Sequence, residues 1–461
     1  MRSLIANRKS RVALALWSLE LLLIYEAVNV AAWLRFVGEP EAYAVFVRTE
    51  PVRALLVAVA MTMAMAAFGL YQTYARHRRQ DLSLRLLVSF GFGSISLLVL
   101  YYLAPVAHIG RGVLAMALSL SLGGIYLLRM GARHAFRGDA FKRRVLVLGA
   151  GNNANLINLD LIDRQFVQVV GFVPLPGQPE VIPPRLQVRP DRGLVEIAMR
   201  LQVNELVVAP DERRGGLPME EMLQCTQQGI SVTDLSSFFE REVGMVELEI
   251  VDPSWLVFSG GFDHSLPRRL SKRFFDLVAA AVLLLVSWPV MLLVALAVWL
   301  ETGSPILYRQ TRVGKDGRAF ELYKFRSMRV DAESDGIARW ASENDDRTTR
   351  VGRFIRKTRL DELPQLFNVL RGQMSFVGPR PERPQFVDQL SQAIRYYPVR
   401  HCVKPGLTGW AQLRYPYGAS VLDAKRKLKY DLFYVKNHGL LFDLMILLQT
   451  VEVVLFGRGA R

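Results

Sequence analysis

Lys272-Arg273-Phe274-Phe275-Asp276 leads into an apolar run, Leu277–Leu300, that is broken near its middle by Ser287-Trp288-Pro289. The run holds roughly 24 residues, enough to cross a bilayer. Crossing would carry Arg309, Arg312, Lys315, Arg318, Lys324, Arg326 and Arg329 to the outer face. Lys and Arg are normally retained inside, so that topology is disfavoured. Pro289 removes an intrahelical hydrogen bond and crowds the preceding turn, and Ser287 can serve a freed backbone group. With both flanks basic, the favoured reading is a re-entrant helix over 272–301 that enters and leaves by one face. The alternative is a kinked spanning helix.

Upstream, four more apolar runs lie at about 13–34, 54–71, 86–105 and 112–128, each near the length of a membrane span. The first contains Glu20 and Glu26, and such carboxylates are expected to face a bundle interior. It is too long for a signal peptide, and no small-residue cleavage site follows it. Arg2, Arg8, Lys9 and Arg11 precede the first run, and Arg76, His77, Arg78, Arg79 and Arg85 separate the second from the third. Arg129, Arg133, Arg137, Lys142, Arg143 and Arg144 follow the fourth, whereas the opposite loops hold only Arg35, Arg48, Arg53 and Arg111. Residues 1–135 therefore read as a four-helix transmembrane bundle with both termini cytoplasmic. Composition agrees: the 461 residues are 51% hydrophobic yet carry a net charge of +16, and mean hydropathy is +0.19. This aliphatic content excludes wholesale disorder, and two cysteines, Cys225 and Cys402, exclude a disulfide scaffold.

From Lys142 the chain turns soluble in pattern. Val145-Leu-Val-Leu148, Val169-Val-Gly-Phe-Val173 and Glu205-Leu-Val-Val-Ala209 read as buried strands with helices between, predicting a Rossmann-like α/β domain over 142–265. The turn Gly149-Ala-Gly151-Asn-Asn-Ala154 could place backbone N–H groups on a pyrophosphate. No acidic residue closes Phe166-Val-Gln-Val-Val170 to hold a ribose, so close strand-to-helix packing at Gly149 and Gly151 is the favoured reading. No Tyr is followed four residues later by Lys, which counts against a dehydratase.

The densest chemistry is Thr349-Arg-Val-Gly-Arg-Phe-Ile-Arg356-Lys-Thr-Arg359-Leu-Asp361-Glu362-Leu-Pro364-Gln365-Leu-Phe-Asn368-Val-Leu-Arg371-Gly372. Pro364 belongs at a helix start, which puts Asp361 near an N-cap and Gly372 at a C-terminal cap. An Asp there, beside Arg356 and Arg359, is expected to stay ionised and able to attack phosphorus. Glu362 adds a carboxylate suited to Mg²⁺, which takes one or two protein carboxylates plus phosphate oxygens. Taken alone, such a pair is more often a helix cap than a catalytic dyad, and it is the surrounding stretches that shift the reading toward catalysis. Arg380, pinned in Gly378-Pro379-Arg380-Pro381-Glu382-Arg383-Pro384, is placed for bidentate phosphate contact, and Lys324 and Arg326 add cations. Lys404-Pro-Gly406-Leu-Thr408-Gly409-Trp410-Ala-Gln412 supplies an aromatic on a small-residue loop. Lys425, Arg426, Lys427 and Lys429 suit lipid headgroups.

Together these stretches resemble the bacterial sugar transferase family, the monotopic phosphoglycosyl transferases. Similarity runs over 268–461 through KRFFD, the Ser/Pro-broken helix, YKFRSM, LDELPQLFNVLRG, MSFVGPRPERP and KPGLTGWAQ, in family order. The whole chain looks like the long form of that family, in which a membrane bundle and a Rossmann-like domain precede an α/β monotopic catalytic domain with a re-entrant membrane helix hairpin. Gly260-Gly-Phe262 and Arg414-Tyr-Pro-Tyr-Gly-Ala-Ser420 look most like the branch that accompanies exosortase (PEP-CTERM) exopolysaccharide loci. The resemblance implies transfer of a hexose-1-phosphate from a UDP-hexose to undecaprenyl phosphate, at the cytoplasmic face of the bacterial inner membrane. It implies that Asp361 forms a covalent phosphosugar intermediate, that Glu362 holds Mg²⁺, and that Arg356 and Arg380 bind phosphate. Lys272 and Arg273 would meet the membrane or the polyprenyl phosphate, with Ser287 and Pro289 at the hairpin apex. Thr408, Gly409, Trp410 and Gln412 would form a nucleotide or sugar loop. Relatives continue that loop with V-N-G-R, where this chain has Leu413-Arg414-Tyr415-Pro416.

A rival class is a membrane scaffold whose Rossmann-like domain senses a nucleotide and recruits polysaccharide machinery. Nucleic-acid binding is disfavoured because the cations flank apolar runs or line the candidate phosphate site. The tail 439–457, with Asp443, Gln449 and Glu452, reads as an interfacial helix. Both the bundle and the middle domain offer surfaces for homo-oligomer contacts.

Overall fold

A computed structural model describes residues 8–68, 70–71, 79–135, 142–157, 167–189, 193–212, 216–251, 265–329, 346–415, 418 and 420–456. Arg2, Arg76, His77, Arg78, Arg137, Phe166, Gly260-Gly-Phe262, Pro416 and Tyr417 lie outside the described residues. The chain divides into two compact units, Met1–Val243 and Gly244–Arg461.

In lipid, backbone polar groups must be satisfied within the segment, which makes the apolar runs of the first unit helical. They form α1 (Arg8–Arg35), α2 (Pro40–Thr49), α3 (Pro51–Ala67), α4 (Arg79–Leu103) and α5 (Arg111–Ala135). Leu14–Arg35, Arg85–Leu103 and Arg111–Ala132 are long and apolar enough to cross a membrane. The second expected run lies largely in α3, which meets α2 at a 68° bend, because Pro51 can begin a helix but lacks the N–H to continue one. Ile24, Val28, Met61, Leu97 and Ile125 are among the buried residues of the core that α1, α3, α4 and α5 share.

The acids of α1 separate as helix geometry requires. Six residues turn a helix by about 240° beyond a full revolution, so Glu20 and Glu26 cannot share a face. Glu20 is buried and takes Arg129 of α5 in a bidentate pair, Nε to Oε1 at 2.6 Å and Nη2 to Oε2 at 2.9 Å. Arg129 Nη1 also donates to the Leu70 carbonyl at 2.7 Å. Glu26 is exposed and accepts from Asn29, so an inward-facing carboxylate, expected of both acids, is found for Glu20 only.

The rest of the unit is a parallel-sheet α/β domain with strand order β2–β1–β3–β4, where β1 is Arg143–Leu148, β2 Val167–Val173, β3 Glu205–Val208 and β4 Ser231–Asp234. Short helices α6 (Asn152–Asn155), α7 (Leu194–Arg200), α8 (Met219–Gln227) and α9 (Leu235–Glu242) complete it. Gly149, at φ +129°, sits where a Cβ would lie 2.3 Å from the Ala209 carbonyl oxygen. Close packing of the β1 and β3 ends therefore requires glycine there. An internal carboxylate fills the turn beyond: Asp211 accepts from Asn152 N at 2.9 Å and Asn153 N at 2.7 Å, and a Cβ on Gly151 would meet its Oδ2 at 2.4 Å. The Gly149, Asn152 and Asn153 amides are thus spent within the protein.

The second unit begins at Gly244, earlier than the expected 268: Val246 N donates to the Lys429 carbonyl, and Lys429 pairs with Glu247. Helix α10 (Leu266–Thr302) is continuous through Pro289, and it too is long and apolar enough to cross a membrane. Ser287 Oγ contacts Met291 Sδ at 3.7 Å, so it does not serve the backbone as expected. Both ends of the helix are tied to this unit. Asp276 Oδ1 accepts from Ser375 Oγ at 3.0 Å and Phe376 N at 3.1 Å, and Glu301 accepts from Arg350 N at 2.8 Å and Val351 N at 3.0 Å. Between them Leu285, Val286, Trp288, Leu292 and Leu293 stand exposed.

The remainder is an antiparallel hairpin, β5 (Leu307–Val313) with β6 (Ala319–Phe325), and a parallel pair, β7 (Ser375–Val377) with β8 (Gly406–Thr408). Around them lie α11 (Arg350–Lys357), α12 (Gln365–Leu370), α13 (Pro384–Ala393), α14 (Trp410–Arg414), α15 (Val421–Asn437) and α16 (Leu440–Phe456). The expected interfacial helix, α16, has two faces. Phe442 and Ile446 are buried in the core and Asp443 is 1% exposed, while Leu441 and Val451 face outward.

Candidate active site

The site is built where the chain reverses between α11 and α12. Thr349 caps α11, its Oγ1 accepting from Gly352 N at 2.9 Å. Gly352 allows the next contact, since a Cβ there would lie 2.0 Å from the Ser327 carbonyl oxygen. After α11, Arg359 takes a left-handed conformation (φ +60°) and starts a 3₁₀ turn, Leu360–Glu362. Pro364 then precedes α12, and Gly372, at φ +79°, follows its end as expected of a cap. Asp361 is therefore in the turn before α12 and does not cap it, because the reversal at Arg359 uses that stretch as a separate turn.

Freed from capping, Asp361 is 7% exposed, and its Oδ1 is buried with no hydrogen-bond partner. Burial pushes its carboxyl above the ordinary Asp range; Glu362 adds to the rise, while Lys324, Arg359 and Arg356 oppose it. The expectation of an Asp held down by its arginines is thus met only in part, since desolvation is the larger effect. Glu362 collects the cations: Lys324 Nζ lies 2.9 Å from its Oε1, Arg380 Nη2 3.5 Å and Arg359 Nη1 3.7 Å. Burial raises this carboxyl, but Lys324, Arg380 and Arg359 together hold it down to about 2. Two adjacent acids are thereby driven apart, one toward the protonated form and one firmly ionised.

Lys324 stands on β6, and Arg380 is set from behind. The Arg380 carbonyl accepts from Arg400 Nη2 at 3.0 Å, and Arg400 is fixed by buried Asp431 through Nε at 3.0 Å and Nη2 at 2.8 Å. This Arg400–Asp431 support escaped the sequence reading because nothing local links the two residues. Arg356 donates to Thr348 Oγ1 at 3.0 Å and reaches Asp361 through its charge. Arg326 is 7% exposed; Nη2 donates to the Gly303 carbonyl, while Nε and Nη1 have no partner. A desolvated guanidinium with two idle donors is an anion-binding arrangement.

Other candidate residues are placed differently. Trp410 is 3% exposed, donates from Nε1 to the Gly244 carbonyl at 2.7 Å and packs against Phe433 and Phe442. Thr408 Oγ1 pairs with Thr450 Oγ1 at 2.8 Å, Gly409 lies against the Gly378 carbonyl, and Gln412 is half-buried beside Gly409. Among the described residues, none of these four bonds to Asp361 or Glu362. Lys272 also turns inward, its Nζ meeting Asp443 Oδ2 at 2.5 Å, Tyr434 Oη at 3.1 Å and the Val377 carbonyl at 3.2 Å. Arg273 donates to the Val369 and Leu370 carbonyls, both at 2.7 Å, closing the C-terminal end of α12.

Among the described residues, no group of three His, Cys, Asp or Glu side chains could hold a metal by itself. The ionised Glu362 carboxylate nevertheless suits Mg²⁺, which needs only one or two protein carboxylates when phosphate oxygens complete its shell.

A family model described as bacterial sugar transferase matches residues 267–457, the region that holds every residue of this site. A UDP-glucose:undecaprenyl-phosphate glucose-1-phosphate transferase of Caulobacter vibrioides is 44% identical over 188 residues, covering 40% of this chain and 70% of that protein.

The chain belongs to the bacterial sugar transferase family.

Two further relatives of this sugar transferase carry other sugars in their names. A UDP-N-acetylgalactosamine-undecaprenyl-phosphate N-acetylgalactosaminephosphotransferase of Aeromonas hydrophila is 39% identical over 279 residues, 60% of this chain and 63% of the relative. An undecaprenyl-phosphate galactose phosphotransferase of Salmonella typhimurium is 38% identical over 245 residues, 50% of this chain and 47% of the relative. The chain thus spans less than two thirds of either of these relatives' lengths.

Proposed function

We propose that this sugar transferase moves a hexose-1-phosphate from a UDP-hexose to undecaprenyl phosphate through a covalent bond to Asp361. The observation that carries the proposal is the split pair: a buried Asp361 oxygen without a partner, beside a Glu362 that holds three cations. The relatives' names support the substrate classes, since each includes undecaprenyl phosphate. In the first half-reaction Asp361 Oδ1, ionised, attacks the β-phosphorus of the donor. The bond from that phosphorus to the bridging oxygen breaks, and UMP leaves with the electron pair. In the second, a phosphate oxygen of the lipid attacks the same phosphorus and releases the Asp361 carboxylate. Lys324, Arg359 and Arg380 balance the added negative charge, and the idle donors of Arg326 suit a phosphate oxygen. Glu362 would hold Mg²⁺, which when bound would offset charge on the departing UMP and leave Asp361 Oδ1 to attack.

A donor in water and an acceptor with a buried tail must meet at the membrane surface. We infer that α10 re-enters the bilayer, so that this unit stays on the cytoplasmic face with the first unit's helices spanning several times. Supporting this are the ties of both α10 ends to one unit and the exposed apolar residues between them. The product would begin an exopolysaccharide.

Incubating the protein with a UDP-sugar labelled at the β-phosphorus, without lipid, should leave label on wild type and none on Asp361→Asn. Wild type that turns over yet never carries label would refute the covalent route. Retained transfer in Asp361→Asn would refute the role of Asp361.

A further inference from the structure

Arg380 is carried by a segment that cannot fasten itself. Pro379, Pro381 and Pro384 interrupt it, and since proline offers no N–H, the backbone must be fixed through its carbonyls. Four carbonyls in succession are claimed from separate parts of the unit. Gly406 N donates to that of Pro379 at 3.0 Å, and Val313 N to that of Glu382 at 2.9 Å. Between them two guanidinium groups act. Arg400 Nη2 holds the Arg380 carbonyl at 3.0 Å, and Arg312 Nη1 holds the Pro381 carbonyl at 3.0 Å. Pro379 and Pro381 are buried, yet the Arg380 side chain is 40% exposed, with Nη2 3.5 Å from Glu362 Oε1. A fixed backbone with a projecting head lowers the ordering cost of a contact made by that head.

Arg312 does more than hold one carbonyl. Its Nη2 donates to Gln310 Oε1, and Gln310 Nε2 donates to Tyr308 Oη at 2.9 Å. Arg312, Gln310 and Tyr308 alternate along β5 and so line one face of it. Tyr308 stands opposite Lys324 of β6, whose Nζ lies 2.9 Å from Glu362. Arg312 therefore joins the backbone behind Arg380 to the strand face that presents Lys324. Glu382 Oε2, 3.6 Å from Arg312 Nη1, answers the charge of the guanidinium. The other guanidinium is delivered by a constrained turn. Tyr396 is left-handed at φ +66°, which a bulky residue keeps only where its surroundings impose it. It opens the 3₁₀ turn Tyr397–Cys402 that carries Arg400.

We propose that Arg312 is a positioning residue: with Arg400 it fixes the backbone of residues 379–382 so that the Arg380 head meets a phosphate of the donor. The phosphate role of Arg380 rests on the transfer proposed above; the hold on its backbone does not.

The test is a double-mutant cycle read by equilibrium binding of UDP to the full chain in detergent micelles, with no lipid acceptor present. Arg380→Gln should weaken binding roughly tenfold, the loss of one charge-assisted contact. Arg312→Gln should weaken it by that factor or less, and the double variant should bind no worse than Arg380→Gln alone. Arg312→Lys keeps the charge but not the simultaneous hold on Pro381 and Gln310, so it should stay weakened. Thermal unfolding identifies the folded variants, and Arg312→Lys carries the cycle if Arg312→Gln does not fold. Unchanged binding in Arg380→Gln or in either Arg312 variant would overturn the proposal. Additive losses in the double variant would overturn it too, because Arg312 would then act on UDP itself, by charge or through its unpartnered Nε. A wild type that transfers sugar while the cycle fails refutes the positioning role alone, whereas one that neither binds UDP nor transfers refutes the transfer.

Discussion

Replacing Lys324 with Gln separates two roles of one ammonium group. Its Nζ is the nearest cation to Glu362, at 2.9 Å, and it is the strongest of the charges that oppose the rise of the Asp361 pKa. A hydrogen bond to a charged partner contributes about 1.5–3 kcal/mol. Arg380 and Arg359 remain at 3.5 and 3.7 Å, and the Lys324 and Glu362 side chains are 21% and 16% exposed. The loss therefore falls at the lower end, about 1.5 kcal/mol or roughly tenfold in kcat/KM. The pH profile carries the sharper sign. Asp361 must be ionised to attack, and burial already raises its pKa. Without Lys324 that pKa rises further, so the acid limb of kcat/KM, followed as UMP release, moves to higher pH. Stability gives an independent sign. Glu362 is lowered from 4.5 to about 2, so the stability it contributes is complete above pH 4.5 and lost as pH falls toward 2. In Lys324→Gln the folded pKa lies closer to 4.5, so there is less stability to lose and the loss finishes at higher pH. An acid limb that stays in place or moves down would refute the assignment of Lys324 to Asp361.

Glu20→Gln strands the buried Arg129 guanidinium, which should destabilise the helices by about 3–5 kcal/mol; Glu20→Gln with Arg129→Met should recover much of this in thermal unfolding in detergent. Trp410→Phe leaves the Gly244 carbonyl without its donor, lowering stability by about 1–3 kcal/mol while leaving KM for the donor sugar nucleotide unchanged; a raised KM would return Trp410 to the nucleotide. Asp211→Asn should cost about 1 kcal/mol, since an amide oxygen replaces a carboxylate on two backbone amides, and transfer kinetics should not change; a new dependence on added nucleotide would show that the turn takes a ligand.

What could be read in the sequence is what short windows encode. The apolar runs, the strands Val145–Leu148 and Glu205–Val208, and the LDELP stretch carry their signals within a few residues. Strand β4 does not, because Ser231-Val-Thr-Asp234 is short and only partly buried. The left-handed Arg359 was equally hidden, since nothing in Arg-Leu-Asp-Glu announces a reversal, and it moved Asp361 off the helix cap.

Charges were hardest to place, and the reason bears on topology. Sequence treats an Arg beside an apolar run as an inside anchor, yet Arg129 pairs with Glu20, 109 residues away. Arg85 is 2% exposed and donates to the Phe68 carbonyl, and Arg143 is shared by Glu205 and Glu242. Charges neutralised or buried in the folded protein no longer act on lipid headgroups. Arg129 and Arg143 therefore drop out of the count of cations after α5, and part of the bias against Arg111 in the opposite loop goes with them. The cytoplasmic α/β domain that the sequence predicts would therefore rest on a smaller count than the sequence alone suggests. Neutralising Arg133, Arg137, Lys142 and Arg144 together, with the Arg129 and Arg143 pairs intact, tests this count by inverting the preceding helices; replacing Arg129 should unfold them without inverting them.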